Sequence, residues 1–131
     1  MERLRVETDA RLTTVDVTDR VEAAVPADSD GLCTVVSRHT TAGVVVQEDE
    51  PRLREDIERA LADRVDDEGW RHDALDGNAD GHLRATLVGE SASLPVRDGE
   101  LDGGRWQSVL FVECDGPRSR ELDVVVTPTV E

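Results

Sequence analysis

The chain contains no lysine and no tyrosine, and its only aromatic residues besides histidine are Phe111, Trp70 and Trp106. With so few rings, a core has to be aliphatic, carried by Val, Leu and Ala. The two cysteines, Cys33 and Cys114, form no Cys-x-x-Cys pair, and both sit in apolar, strand-like runs. They are expected to be small buried thiols rather than a disulfide or a metal pair. No apolar stretch approaches the roughly 18 residues of a membrane span. The start, Met1-Glu2-Arg3-Leu4, reads as neither signal nor transit sequence. A soluble, cytoplasmic protein with no membrane partner is the expectation.

Acid is what the chain has in excess: 30 Asp and Glu against 15 basic residues, all of them Arg, for a net charge of −15. The carboxylates are spread along the whole sequence rather than gathered in a tail. Disorder would suit such a balance, but apolar runs at 32–37, 43–46, 83–88 and 109–112 argue for a folded domain. Self-repulsion of this size destabilises a compact state, and it is largely screened where the Debye length falls to roughly 3 Å, near 1 M salt. The charge therefore reads as adaptation to a salt-rich cytoplasm, as in halophilic archaea. It opposes nucleic acid as a partner, because that binding rests on a cationic footprint.

A length of 131 residues fits one domain, spanning 1–131. Alternation predicts strands over 4–8, 32–37 (a buried one), 43–47, 93–96, 106–113 and 121–127, with a short strand or turn at about 11–16. Thr18-Asp19 looks like the cap of a short helix stopped by Pro26. Asp49 and Pro51 open the clearest helix, with Leu53, Ile57, Ala60, Leu61 and Val65 at helical spacing. Residues 66–81 form a long polar loop, and 82–88 a short helix stopped by Gly89. The pattern is α+β: a single domain of mostly antiparallel β-sheet or sandwich, with one long and two short helices.

Only three histidines occur: His39 in Arg-His-Thr-Thr, His72 in Trp-Arg-His-Asp, and His82 after Asn78-Ala79-Asp80-Gly81. Imidazole titrates near neutrality and is the commonest metal ligand. No HxxxH or HExxH spacing is present, yet three ligands from separate loops would suit an open catalytic metal site. Gly77 and Gly81 around Asn78 would let backbone approach a ligand, and a helix starting at His82 would favour an anion such as phosphate. Arg118 and Arg120 alternate after a turn and would share one strand face, able to grip phosphate, with Glu113 near enough to pair with one of them. Trp106-Gln107 follows Gly103-Gly104, placing an amide where a specific bond is expected.

Taken in order, these motifs resemble the YjbQ-like family. His39-Thr40-Thr41-Ala42 with Gln47-Glu48 is similar to its His-Thr-Thr/Ser-Ala segment. Trp70-Arg71-His72, then Asn78-x-x-x-His82-Leu83, resemble its second and third histidine segments. Gly89-x-Ser91, Pro95-Val96, Gly99-x-Leu101, Gly104-x-Trp106-Gln107, and Glu113-x-Asp115-Gly116-Pro117-Arg118-x-Arg120 continue the match across about residues 33–127. Arg105, where the family often has Thr, and Gln47, where Asn commonly precedes Glu, depart from it.

The resemblance implies a small α+β homotrimer with sites near subunit interfaces. It also implies a weak thiamine-phosphate synthase activity, joining a pyrimidine-methyl pyrophosphate to a thiazole phosphate with release of pyrophosphate. Expected catalytic residues are His39, His72, His82, Glu48 and Asn78; the three histidines are also candidate ligands of a divalent metal, Zn or Mg. Thr40, Thr41, Ser91, Trp106, Gln107, Arg118 and Arg120 are expected to hold a small phosphorylated metabolite. The alternative is a trimeric module that binds the metal or metabolite without turnover.

Overall fold

The computed structural model describes residues 1–130 as two antiparallel sheets packed face to face, with two helices on the outside of the smaller one and a short one whose Val21 joins the core between the sheets. Strands β1 (Glu2–Glu7), β2 (Thr13–Asp16), β3 (Gly31–Ser37), β4 (Ala42–Gln47), β5 (Ser91–Arg97), β6 (Glu100–Leu101), β7 (Ser108–Glu113) and β8 (Ser119–Pro128) alternate with helices α1 (Thr18–Ala23), α2 (Pro51–Arg64) and α3 (Ala79–Val88). The larger sheet has the order β1-β8-β3-β5-β6 and the smaller β2-β7-β4. Together they make the single α+β domain that the periodicity predicts.

Period-two alternation builds the core between the sheets. Val6, Cys33, Val35, Leu94, Leu122 and Val124 point inward from the larger sheet and meet Val44, Val109 and Phe111 from the smaller. Phe111 is the only ring among them; the rest is aliphatic, as the composition requires. The β3 segment is buried on one face only, and Leu32 on the other is 44% exposed. It is a half-buried strand, not a fully buried one. Both cysteines are free and buried.

The helices differ from expectation at their ends. The cap of α2 is Glu50, whose Oε2 accepts the Leu53 N–H, while Asp49 pairs with Arg54. The cap of α1 is Val17, and Asp16 accepts from both the backbone N–H and the hydroxyl of Thr18. Helix α3 begins at Ala79, three residues earlier than the sequence suggests, so His82 lies in its second turn. The loop before it holds one turn of 3-10 helix, Arg71–Ala74, which carries His72. Trp106 and Gln107 lie outside β7.

Two glycines let α3 lie close to the smaller sheet. A Cβ on Gly81 would come within 2.8 Å of the Cys114 carbonyl oxygen, and one on Gly43 within 2.3 Å of the Gly89 oxygen. The close approach at Gly81 is therefore to the backbone just after β7 rather than to a ligand.

Candidate functional site

An ionic clamp fixes the rotation of α3. The buried Arg84 donates through Nη1 to Asp80 Oδ2 at 2.6 Å, and through Nε and Nη2 to the Leu61 and Val65 carbonyls at the end of α2. Those carbonyls lack intrahelical partners, which is why a cation is favoured there. Arg11 holds the other Asp80 oxygen at 2.7 Å. His82, between Asp80 and Arg84 in sequence, is thereby turned toward the opposite side of the helix.

On that side a cleft of about 370 Å³ opens between α3 and the β3–β4 connection. His39, Thr40 and Ala42 form one wall; His82, Ala85, Thr86, Gly89 and Glu90 form the other. His39 and His82 thus reach one cavity from separate elements. His72 does not line it, but stands behind His82, its ring edge-on with centroids 4.9 Å apart. The loop is tied to α3 by Asp73, which accepts from the Trp70 and Ala79 N–H groups. That carboxylate already occupies the start of the helix, where an anion was expected. Thr86 and Glu90 escaped sequence reasoning. Once the register of α3 is known, Thr86 follows from His82 by the four-residue spacing of a helix face.

His39 is held by its Nε2, which accepts the Glu121 N–H at 2.8 Å. Its pKa lies below the usual value, first because of burial and then because of the Arg120 charge; Glu113 and Glu121 pull the other way and Arg38 adds a smaller lowering. Beneath it, Arg120 Nε donates to Glu113 Oε1 at 2.8 Å, its Nη2 bonds the second oxygen, and the same nitrogen donates to Thr41 Oγ1 at 2.9 Å. Burial pushes the Glu113 carboxyl up. The bonds from Arg120, the Asp115 N–H and Thr8, with the charge of Arg120, outweigh this and leave it below the usual range.

Several expected ligand contacts are taken up by the protein itself. Arg120 and Thr41 are buried in the Glu113 ion pair, so neither is free for phosphate. Arg118 is exposed but donates to the backbone oxygen and Oδ2 of Asp115. The two arginines do not share a face: Arg118 precedes β8 and Arg120 points into the core. Asn78 Nδ2 donates to Asp115 Oδ2 at 3.0 Å, while its Oδ1 is buried without a partner among the described residues. Gln107 closes its own loop by accepting the Gly104 N–H at 2.7 Å. Trp106 is exposed, with the Arg105 guanidinium 4.7 Å from the centre of its ring. Ser91 lies exposed at the start of β5. Glu48 follows β4, whereas His39 precedes it, and a strand of this length spans about 17 Å. Within one chain Glu48 stands apart from the cleft.

A three-histidine metal site does not fit this arrangement. The Nε2 lone pair of His39 is engaged by an N–H donor, and a ligand nitrogen needs that pair. Among the described residues no three His, Cys, Asp or Glu side chains converge in a metal-binding geometry. Nor is either cysteine poised as a nucleophile: burial above all pushes the Cys114 thiol up to about 12. Among the described residues no helix is long and apolar enough to cross a membrane.

Comparison with known proteins places these features in a wider set. The family profile described as UPF0047 protein YjbQ-like matches residues 2–129. A UPF0047 protein of Archaeoglobus fulgidus is 45% identical over 122 residues, covering 92% of this chain and 96% of that protein. The UPF0047 protein YugU of Bacillus subtilis is 32% identical, covering 92% and 93%. Among solved structures, hypothetical protein APE1520 from Aeropyrum pernix K1 superposes with a TM-score of 0.92 at 40% identity, covering 98% of each chain. A protein of unknown function from Sulfolobus solfataricus P2, SSO2532, does so with a TM-score of 0.90 at 37% identity, covering 94% of this chain and 92% of that one.

Proposed function

The chain belongs to the YjbQ-like UPF0047 family, and from that premise we propose that the cleft between the β3–β4 connection and α3 is a small-molecule site whose polar contacts are His39 and His82. The observation that carries this reading is the arrival of two of only three histidines at one cavity from separate elements, with the third packed behind His82. The candidate reaction is the one implied by the family resemblance, thiamine-phosphate formation. There His82 would carry a proton at the cleft wall, and His39 and Thr40 would orient the substrate from the other side.

The phosphate end of such a substrate needs positive charge, and among the described residues the only carboxylate, Lys or Arg side chain lining the cleft is Glu90. Steadying a departing pyrophosphate would therefore fall to a magnesium ion carried in with it, or to a neighbouring subunit. The homotrimer implied by the resemblance would supply that neighbour. The outer face of the larger sheet, with Leu32, Val36 and Val125 incompletely buried, is available for association. Light scattering in molar KCl should return three times the 14.4 kDa chain mass. A cytoplasmic location in a salt-rich cell belongs to the same proposal.

The absence of a cationic lining side chain favours a second reading, a module that holds a neutral or cationic metabolite without turnover. The two separate in one assay. Purified protein in molar KCl is given the pyrimidine pyrophosphate and thiazole phosphate, and product is followed for wild type and His82→Ala. Turnover that is lost in the variant supports the enzyme. An undiminished rate in the variant removes His82 from the chemistry. No wild-type turnover, with a metabolite retained in native mass spectrometry, supports the module.

A further inference from the structure

The bond between His39 and Glu121 decides which nitrogen His39 offers to the cleft. Glu121 presents a backbone N–H, which can only donate, so Nε2 at 2.8 Å has to accept and carries no proton. A neutral imidazole then bears its single proton on Nδ1. Nδ1 has no hydrogen-bond partner among the described residues and is not buried, while the ring lines the cleft. Protonating the ring would set two donors, Nε2–H and the Glu121 N–H, against each other.

We infer that His39 serves the cleft as a fixed hydrogen-bond donor through Nδ1–H, selecting ligands that present a lone pair there: a carbonyl oxygen, a ring nitrogen or an anionic oxygen. It is neither a metal ligand through Nε2 nor a proton acceptor, and the proton-carrying role falls to His82 alone. This assignment rests on the cleft being the ligand site and names the chemistry that the site recognises.

The surroundings agree with it. Arg120 and Glu121 from β8, Glu113 from β7, and Arg38 beside it are the charged groups acting on the ring; His82 from α3 and Glu90 are the titratable groups across the cleft. Arg120 is compensated by Glu113 rather than by His39. Burial, Arg120 and Arg38 all disfavour the imidazolium, outweighing the two glutamates. These effects act in the same direction as the clash of donors that a proton on Nε2 would create.

The test reads the tautomer first. Protein carrying isotope-labelled histidine, in molar KCl, is examined by long-range proton–nitrogen NMR. His39 should show a protonated Nδ1 and a bare Nε2, and adding zinc should leave both signals in place. A proton on Nε2, or a zinc-induced shift there, would overturn the assignment. Thiamine phosphate is then titrated into wild type, His39→Asn and His39→Gln. Asparagine sets an amide near the Nδ1 position, glutamine near the Nε2 position. His39→Gln should bind about tenfold more weakly than His39→Asn, the worth of one hydrogen bond. The reverse order, with His39→Gln the better binder and the more stable protein, would make the bond to Glu121 the residue's whole role and defeat the proposal. If wild type binds no thiamine phosphate, the choice of reaction fails, while the tautomer and zinc results still decide the donor assignment.

Discussion

His72 and His82 meet edge to face, their ring centroids 4.9 Å apart and their planes inclined at 86°. Of the two, only His82 reaches the cleft, so an effect of His72 on binding is expected to run through His82. An aromatic edge contact of this kind contributes about 0.5–1.5 kcal/mol beyond its buried area. His72→Phe should therefore preserve ligand binding within a few-fold, whereas His72→Ala should weaken it, with His82 mobility rising in NMR relaxation. Equal loss in both variants would mean that a His72 nitrogen is needed directly.

The Arg120–Glu113 pair lies under His39 and is 4% and 0% exposed at its two side chains. Removing one partner of such a pair leaves a buried charge, at a cost of about 3–5 kcal/mol. Arg120→Met alone should thus lower the denaturation midpoint sharply. The double change Arg120→Met with Glu113→Gln should recover much of the loss, because the remaining charge is gone. Urea unfolding of the three proteins checks both statements.

Stability should fall in acid in two stages. His39 has a folded pKa below its usual value, so on folding it gives up a proton that the unfolded chain would keep. Its contribution is complete above the ordinary histidine pKa, about 6.5, and is lost as pH falls through the lower folded value. Glu113 and Asp115 are also depressed, burial in each case being outweighed by hydrogen bonds and Arg charges. Their contributions are present above the ordinary carboxylate range and vanish as pH drops below it. Melting temperature against pH should therefore decline first in weak acid, then more steeply; the first step should be absent in His39→Asn.

The net charge of −15 gives a further expectation. Most surface repulsion is screened near 1 M salt, where the Debye length is about 3 Å. Melting temperature should rise steadily from dilute to molar KCl. A flat profile would sink the salt-adaptation reading.

The sheets were legible because valine-rich alternation marks one buried face, and Asp98-Gly99 marks the hairpin between β5 and β6 through positive φ at both positions. The histidine segments stood out for the same local reason, rarity. What sequence could not resolve was partnership. Arg118 and Arg120 look equivalent two residues apart, yet one faces solvent and the other is buried against Glu113. Glu48 lies near His39 in sequence, but a whole strand separates them. The start of α3 was hidden because Asp80-Gly81 has weak helix propensity; Asp73 on the Ala79 N–H and the Asp80–Arg84 pair compensate.

Whether the cleft is the ligand site is decided by a crystal structure grown in molar KCl with thiamine phosphate present. Density for the ligand should lie between His39 and His82, with an acceptor atom within hydrogen-bond distance of His39 Nδ1. Ligand bound away from both histidines, or a cleft that stays closed to it while it binds elsewhere, would contradict the assignment of this site.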